Sequence, residues 1–386
     1  MKSKNAILTA ALAASISLTS AAFGAVFTPG DIVLYRVDNG ASALGATATA
    51  VFLDEYKPDG TFVQTINMPT AVSGSNKILT ATGTSSSEGM LNRSADGRFL
   101  LVSGYNAAIG ASDPSASSAS TVNRVVGRVD VAGNVDTTTA LTNMFGANNF
   151  RSVASDDGNN LWVSGAANSP SGSNLQGVAY TTLGGTTGTA VASYASRAVS
   201  IYNGQLYTGS TSSSALGDVN QVGTGLPQST ATSTKVVGDP NNGSTNQFVM
   251  LDLDAGVAGL DTMYVADDTS DALAKYSLVS GAWVKNGSSI GAGSDDYFGL
   301  TASISGNTVT LFGTRQKGGS NADELFTLTD TAGYNANFSS TTPTVIVTAS
   351  SATNVAFKGV ALAPVPEPGC LGLIGMSLLA LRRRRA

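Results

Sequence analysis

The chain predicts an all-β body, and three observations carry that prediction. Between Ala25 and Pro364 there is little helical periodicity. Short alternating apolar runs fill this stretch, broken by the Gly, Asn and Asp residues that turns favour. A strand–turn–strand pattern also recurs, with copies starting about 45–60 residues apart.

The first strands are expected at 31–38, 49–56 and 61–66. Val51 to Tyr56, the turn Lys57-Pro58-Asp59-Gly60, and Thr61 to Ile66 form a hairpin pattern. The recurring unit follows as LNRSADGRFLLVSG (91–104), FRSVASDDGNNLWVSG (150–165) and RAVSIYNGQLYTG (197–209). A divergent copy is FVMLDLDAGVAGLDTMYVAD (248–267), and another is FGLTASISGNTVTLFG (298–313). FKGVALAP (357–364) supplies a last inner strand. Outer pairs follow most hairpins, as in NRVVGRVDVAGNVD (123–136) and LAKYSLVSGAWVKNG (273–287).

Four strands per unit at this spacing predict a β-propeller. The last strand lacks outer partners and the first strands lack an inner one, so pairing them would close the ring. Six inner strands predict six blades, with seven as the alternative count. A β-helix or two β-sandwiches are the competing architectures.

Composition narrows the chemistry. Charged residues make up 12% of the chain, against about 25% in ordinary soluble proteins. The formal charge is −5. Six basic residues sit at the two ends (Lys2, Lys4, Arg382, Arg383, Arg384 and Arg385), leaving 15 basic and 26 acidic groups elsewhere. That acidic balance argues against general nucleic-acid binding and against docking on an anionic membrane. There is no histidine, and the one cysteine, Cys370, lies near the C-terminus. Ser-His-Asp, Cys-His and His–zinc chemistry are therefore excluded. Any enzyme here uses carboxylates, Lys, Tyr, Arg or an oxygen-ligated metal.

The ends read as export signals. Lys2 and Lys4 precede the apolar stretch Ala6 to Leu18 and then small residues, Ser20-Ala21-Ala22-Phe23-Gly24. This is a secretory signal peptide over 1–24, for the Sec translocon, with cleavage after Ala22 or Gly24. The C-terminus carries Val365-Pro366-Glu367-Pro368, the uncharged run 369–381, and Arg382 to Arg385. As a helix that run spans about 20 Å, short of the ~30 Å hydrocarbon core. The arginines stay cytoplasmic and their stems extend its reach. A short transmembrane helix that halts export, with 25–364 outside, is the expectation.

This three-part tail resembles the PEP-CTERM sorting signal of bacterial exported proteins. The resemblance implies recognition by an exosortase-type enzyme, cleavage near Pro-Glu-Pro, and display at the cell surface or release. The body resembles a recurrent type among PEP-CTERM proteins, through GDIVLYRVDNG, AVFLDEYKPDGTFVQTI, RSADGRFLLVSGY, NRVVGRVDVAGNVD, DLDAGVAGLDTMYVADD and NVAFKGVALAPVPEP. That type is defined by sorting and shape with no assigned reaction. It implies a link to exopolysaccharide and biofilm.

Three groups of residues are candidates for function. Phe150-Arg151-Ser-Val-Ala aligns with Phe357-Lys358-Gly-Val-Ala, and Ser196-Arg197-Ala-Val-Ser shares the register. Arg151, Arg197 and Lys358 would then ring one channel mouth and bind an anion. The plainer reading pairs each with an acid or carbonyl of the next unit, with Glu88, Asp157 and Asp295 as mates. Asp156-Asp157 and Asp295-Asp296, with Asp252, Asp254, Asp267 and Asp268, are oxygen ligands of the kind Ca²⁺ takes, or ordinary turn residues. Paired carboxylates also suit glycoside chemistry. Trp162 and Tyr207 occupy related second-strand positions and are expected to pack inside the units.

The leading expectation is a non-catalytic structural or adhesive propeller at the cell surface. The alternatives are a carboxylate- or Ca²⁺-dependent hydrolase or lyase acting on polysaccharide or lactone, and a glycan- or anion-binding module.

Overall fold

The computed structural model describes residues 26–210, 218–237, 244–267, 273–287, 290–291, 295–317, 323–351 and 353–367. They form a propeller-like all-β fold, with no helix among them. The signal segment 1–24 and the run 369–381 lie outside the described residues. So do Pro368, Asp268 and Arg382 to Arg385.

Turn chemistry sets the first strands. β1 (Ile32–Val37), β2 (Ala48–Tyr56) and β3 (Phe62–Asn67) form an antiparallel meander. The β2–β3 turn is the expected one. The Gly60 amide donates to the Lys57 carbonyl at 2.9 Å, and Gly60 adopts φ 86°, which its missing Cβ permits. β4 (Thr80–Thr82), β5 (Asn92–Arg93), β6 (Phe99–Tyr105), β7 (Arg124–Asp130) and β8 (Val135–Leu141) follow. Next come β9 (Phe150–Ser155), β10 (Asn160–Gly165), β11 (Gly177–Thr182) and β12 (Thr189–Ala192). β13 (Ser196–Tyr202), β14 (Gln205–Ser210), β15 (Val219–Val222) and β16 (Ser233–Val237) form the next sheet. β17 (Thr245–Leu251), β18 (Thr262–Asp267), β19 (Leu273–Val279) and β20 (Ala282–Lys285) form another. β21 (Asp295–Ser305), β22 (Thr308–Lys317), β23 (Asp323–Asp330) and β24 (Thr344–Thr348) precede β25 (Ala356–Leu362).

β25 pairs antiparallel with β1, Val33 facing Ala361, so the two ends of the body share a sheet as expected. One feature differs from the expectation of separate units. Ala48–Ala50 of β2 runs past β1 and pairs with β4, joining the first two strand groups into a nine-stranded sheet.

The strands β5, β9, β13, β17, β21 and β25 touch in cyclic order, and β25 returns to β5. The approach is close. A Cβ on Gly359 would lie 2.0 Å from the Leu91 nitrogen, so only glycine fits. Apolar cores lie between successive sheets. Leu100 and Val102 of β6 pack toward β1 and β2 beside Val33 and Leu53, while Leu101 packs toward β9 beside Phe150 and Val153. Phe312 and Leu325 meet Ile32, Leu34 and Phe357 where the first and last sheets adjoin. Trp162 is buried, donates to the Pro227 carbonyl at 2.7 Å and packs on Tyr180, as expected of a packing residue.

Candidate functional site

The inner strands share one direction. A cavity at one mouth of the central channel is lined by their C-terminal ends, among them Ser155, Tyr202, Leu251, Ala302 and Leu362. Their first residues therefore face the other mouth.

That other mouth collects charge. Arg151 and Arg197 are the second residues of β9 and β13, and Lys358 is the third of β25. Each engages a neighbouring segment. Arg151 donates to the Ser196 carbonyl at 3.1 Å, Arg197 to the Asn246 side chain, and Lys358 Nζ to the Ser85 carbonyl at 2.5 Å. The mates named from the sequence are mostly elsewhere. Asp157 accepts the Asn159 and Asn160 amides at 2.7 and 2.9 Å in its own turn, and Asp295 lies 3.6 Å from Arg315. Of the three, Glu88 acts on Lys358, whose ammonium feels its charge after that of Asp323.

The aspartates read as Ca²⁺ ligands or turn residues are not brought together. Asp156 and Asp157 follow β9 at one mouth, whereas Asp295 and Asp296 open β21 at the other. No group of three or more His, Cys, Asp or Glu side chains able to hold a metal occurs among the described residues. The Asp-Asp-Gly-Asn-Asn stretch, 156–160, is turn chemistry.

The functional group that the sequence did not reveal surrounds Lys358. A cavity of about 420 Å³ has Lys358, Asp323, Gln316 and Phe298 in its wall, with Leu44 and Thr84 among its other lining residues. Cross-strand register explains this meeting. Asp296 faces Gln316, and Gln316 faces Asp323, so the three side chains share one face of the sheet. Tyr297, Arg315 and Glu324 take the opposite face, where Arg315 donates to Glu324 at 2.8 Å and to the Tyr297 hydroxyl at 3.1 Å. The first face looks toward β25, whose Phe357 amide donates to Asp323 Oδ2 at 2.8 Å.

Electrostatics in this wall are unusual. Burial pushes the Asp323 carboxyl above the ordinary carboxylate value, while the Lys358 charge and the Phe357 amide oppose the shift. Burial pulls the Lys358 ammonium below its ordinary value, against the charges of Asp323 and Glu88. Burial also raises Glu88, opposed by Tyr105 and Asn149, which donate to it at 2.6 Å each. Lys358 Nζ sits 5.6 Å from the Phe298 ring centre. An acid and a base, each shifted toward neutral pH, thus share one opening.

No family model matches the chain, and no curated protein matches it. Several solved structures are similar in fold. The periplasmic gluconolactonase PpgL of Pseudomonas aeruginosa is 12% identical over 83% of each chain, with TM-score 0.42. A glucose dehydrogenase is 12% identical over 78% of this chain and 98% of its own, with TM-score 0.47. A quinoprotein alcohol dehydrogenase-like protein from Bacteroides thetaiotaomicron is 12% identical over 86% of this chain and 78% of its own, with TM-score 0.39. The expectation of a non-catalytic structural or adhesive role is corrected to this extent: it has no support among these structures, which are named as a lactonase and as dehydrogenases or their like. Identities and scores this low transfer no substrate or reaction.

Proposed function

We propose that the protein is a six-bladed propeller hydrolase acting on a small carbohydrate-derived ring, with a sugar lactone as the leading substrate class. The blades are β25-β1-β2-β3, β5–β8, β9–β12, β13–β16, β17–β20 and β21–β24. The observation that carries the activity is the presence of Asp323 and Lys358 in the wall of one cavity. A volume near 420 Å³ suits one ring rather than a polymer strand.

Hydrolysis of a lactone needs a base for water and a partner for the oxyanion. Asp323, raised by burial, is a better base near neutral pH than an ordinary aspartate. It takes a proton from water as the water oxygen adds to the ring carbonyl. The Lys358 ammonium faces the resulting oxyanion. Collapse breaks the carbonyl–ring-oxygen bond, and the departing oxygen takes the proton. Gln316 would orient the ring. A glycoside reading suits the site less well, because it needs two carboxylates flanking one bond. No step uses a metal.

The sorting tail supports a further part of this reading: an exported protein, held by its C-terminal segment until an exosortase-type enzyme processes it, then surface-bound or released. The body would act on sugars in or near extracellular polysaccharide.

The test is acid release from a panel of aldonolactones by the purified protein, followed with a pH indicator beside the spontaneous rate. Enzyme-dependent release that Asp323→Asn and Lys358→Met abolish is the expected result. Release no faster than the blank, or unchanged in both variants, would overturn the reading.

A further inference from the structure

The opposite mouth of the channel holds a different cavity, of about 260 Å³. Its floor is a side-chain network that crosses the channel at mid-strand. Asn92 Nδ2 donates to the Ser152 hydroxyl at 3.0 Å and to the carbonyls of Val153 and Val199 at 2.8 and 3.0 Å. Gln247 Nε2 donates to the Leu91 carbonyl at 2.8 Å and to Asn92 Oδ1 at 3.3 Å, and Gln247 Oε1 accepts the Leu300 amide at 3.2 Å. Two amides thereby join β9, β13, β17 and β21 to β5 and the residue before it. The network lies between this cavity and the mouth that holds Lys358.

The wall above this floor has one charged side chain, Arg93. Its guanidinium donates to the Ala363 carbonyl at 3.1 Å, and among the described residues no carboxylate pairs with it. Burial alone pulls its pKa down, which is the mark of a desolvated cation without a counter-charge. Arg93 is half-buried, and two buried arginines are compensated otherwise. Arg124 spends its donors on the carbonyls of Val122, Ser117 and Phe145, and Arg315 pairs with Glu324. The rest of the wall is divided in character. Ser200 and Thr301 offer hydroxyls, and that of Thr301 makes no hydrogen bond among the described residues. Val249, Leu251 and Val360 form an aliphatic side.

We propose that this cavity is a binding site for a small hydroxylated monocarboxylate, of the sugar-acid class, with its carboxylate on Arg93. The guanidinium fork matches a carboxylate in two-point geometry. Ligand hydroxyls would meet Thr301, Ser200 and the amide floor, and the ligand's C–H face would lie on the aliphatic side. The volume is below the usual range of about 300–1,000 Å³ for drug-sized ligands, so one small molecule fills it. The site is independent of hydrolysis at the other mouth.

The test is calorimetric titration of the full protein with gluconate, glucuronate and neutral glucose at two salt concentrations. Sugar acids are expected to bind at least tenfold more tightly than glucose, and Arg93→Gln to weaken them at least tenfold while leaving glucose unchanged. Thr301→Tyr, which fills the cavity, should abolish binding without touching the cation. Lys358→Met should leave binding intact, which separates this site from the proposed hydrolytic one. Equal affinity for acid and neutral sugar, or unchanged binding in both the Arg93 and Thr301 variants, would overturn the proposal. Thermal melting of each variant identifies any loss caused by misfolding, and the Thr301 variant decides if the Arg93 one fails to fold.

Discussion

The two mouths of the channel are built from the same repeated strand and differ in their charge. Where the inner strands begin, Arg151, Arg197, Lys358 and Asp296 occupy early strand positions, with Asp323 and Glu88 buried beside them. Where the strands end, the cavity lining is hydroxyl, amide and aliphatic, with Arg93 its one charged member, and the carboxylates of that mouth, Asp156 and Asp157, are outside the lining. A mouth with acids and bases close together can move protons. A cavity lined by one cation and neutral donors can hold an anion but lacks, in its own wall, a group to turn it over. The Asn92–Gln247 network stands between the two.

The largest expected effect breaks this comparison most directly. Asp323→Asn should lower lactone turnover by roughly 10²–10⁴-fold, the usual range for a general base. Arg93→Gln should leave turnover at the wild-type rate. Initial rates for the two purified variants check this. If both fall alike, the mouths are not chemically distinct.

Much of the fold was legible because turns and period are local. The Lys57–Gly60 turn, the recurring hairpins and the joining of the chain ends were all written in short stretches. Lys358 was also legible, since Phe-Lys-Gly-Val-Ala aligns with Phe-Arg-Ser-Val-Ala. The wall around it was not. Asp323 opens β23, Phe298 lies on β21 and Gln316 ends near β22's close, and register rather than spacing brings them together. Asn92 and Gln247 are uncharged and separated by 155 residues, so nothing in the sequence singles them out. The aspartate pairs were ambiguous for a related reason. Asp-Asp pairs look alike in sequence, yet one pair ends an inner strand and the other begins one.

A stability effect comes next, from an ion pair distant from both mouths. Lys275 Nζ lies 2.7 Å from Asp330 Oδ2, with both side chains buried, and the Tyr264 hydroxyl donates to the same oxygen at 2.8 Å. Lys275→Ala should cost about 3–5 kcal/mol in denaturant melts, because it leaves a buried carboxylate without its counter-charge. Burial works to raise the Asp330 pKa, but Lys275 and the neighbouring donors win, and it is lowered overall. A lowered carboxylate contributes stability above its unfolded value and loses it as pH falls through the folded one. Acid melts of wild type should show this loss, and in Asp330→Asn it should be absent. This variant is the control for the charged mouth, since it should weaken the fold without altering the chemistry at Asp323.

The pH profile sharpens the comparison further. Turnover needs Asp323 ionised and Lys358 protonated. The rate should fall as pH drops through the raised Asp323 value and again as pH rises through the lowered Lys358 value. The bell is therefore narrower than the span of about 4 to 10.4 between ordinary Asp and Lys. Binding of sugar acids at Arg93 should stay flat across the same range, because a guanidinium remains charged there. A flat rate profile would remove the titrating pair from the reaction.

The smallest effect concerns where the chain leaves. β25 ends at the mouth of the Arg93 cavity, and the segment after it lies along the β5–β6 turn. The Val365 amide donates to the Gly97 carbonyl at 2.9 Å, and Arg98 bridges Asp96, at 2.6 Å, and Glu367. The start of the Pro-Glu-Pro sequence is thus held against the rim of the Arg93 cavity. Exposed ion pairs of this kind contribute about 0–1 kcal/mol. Arg98→Ala should therefore leave the melting temperature nearly unchanged but speed protease cleavage within 364–368, read by mass spectrometry over a time course. An unchanged cleavage rate would mean that the backbone bond from Val365 alone holds the segment. A faster one would place control of the tail at the same mouth as the proposed anion site, and sugar acids should then be tested for slowing or speeding that cleavage.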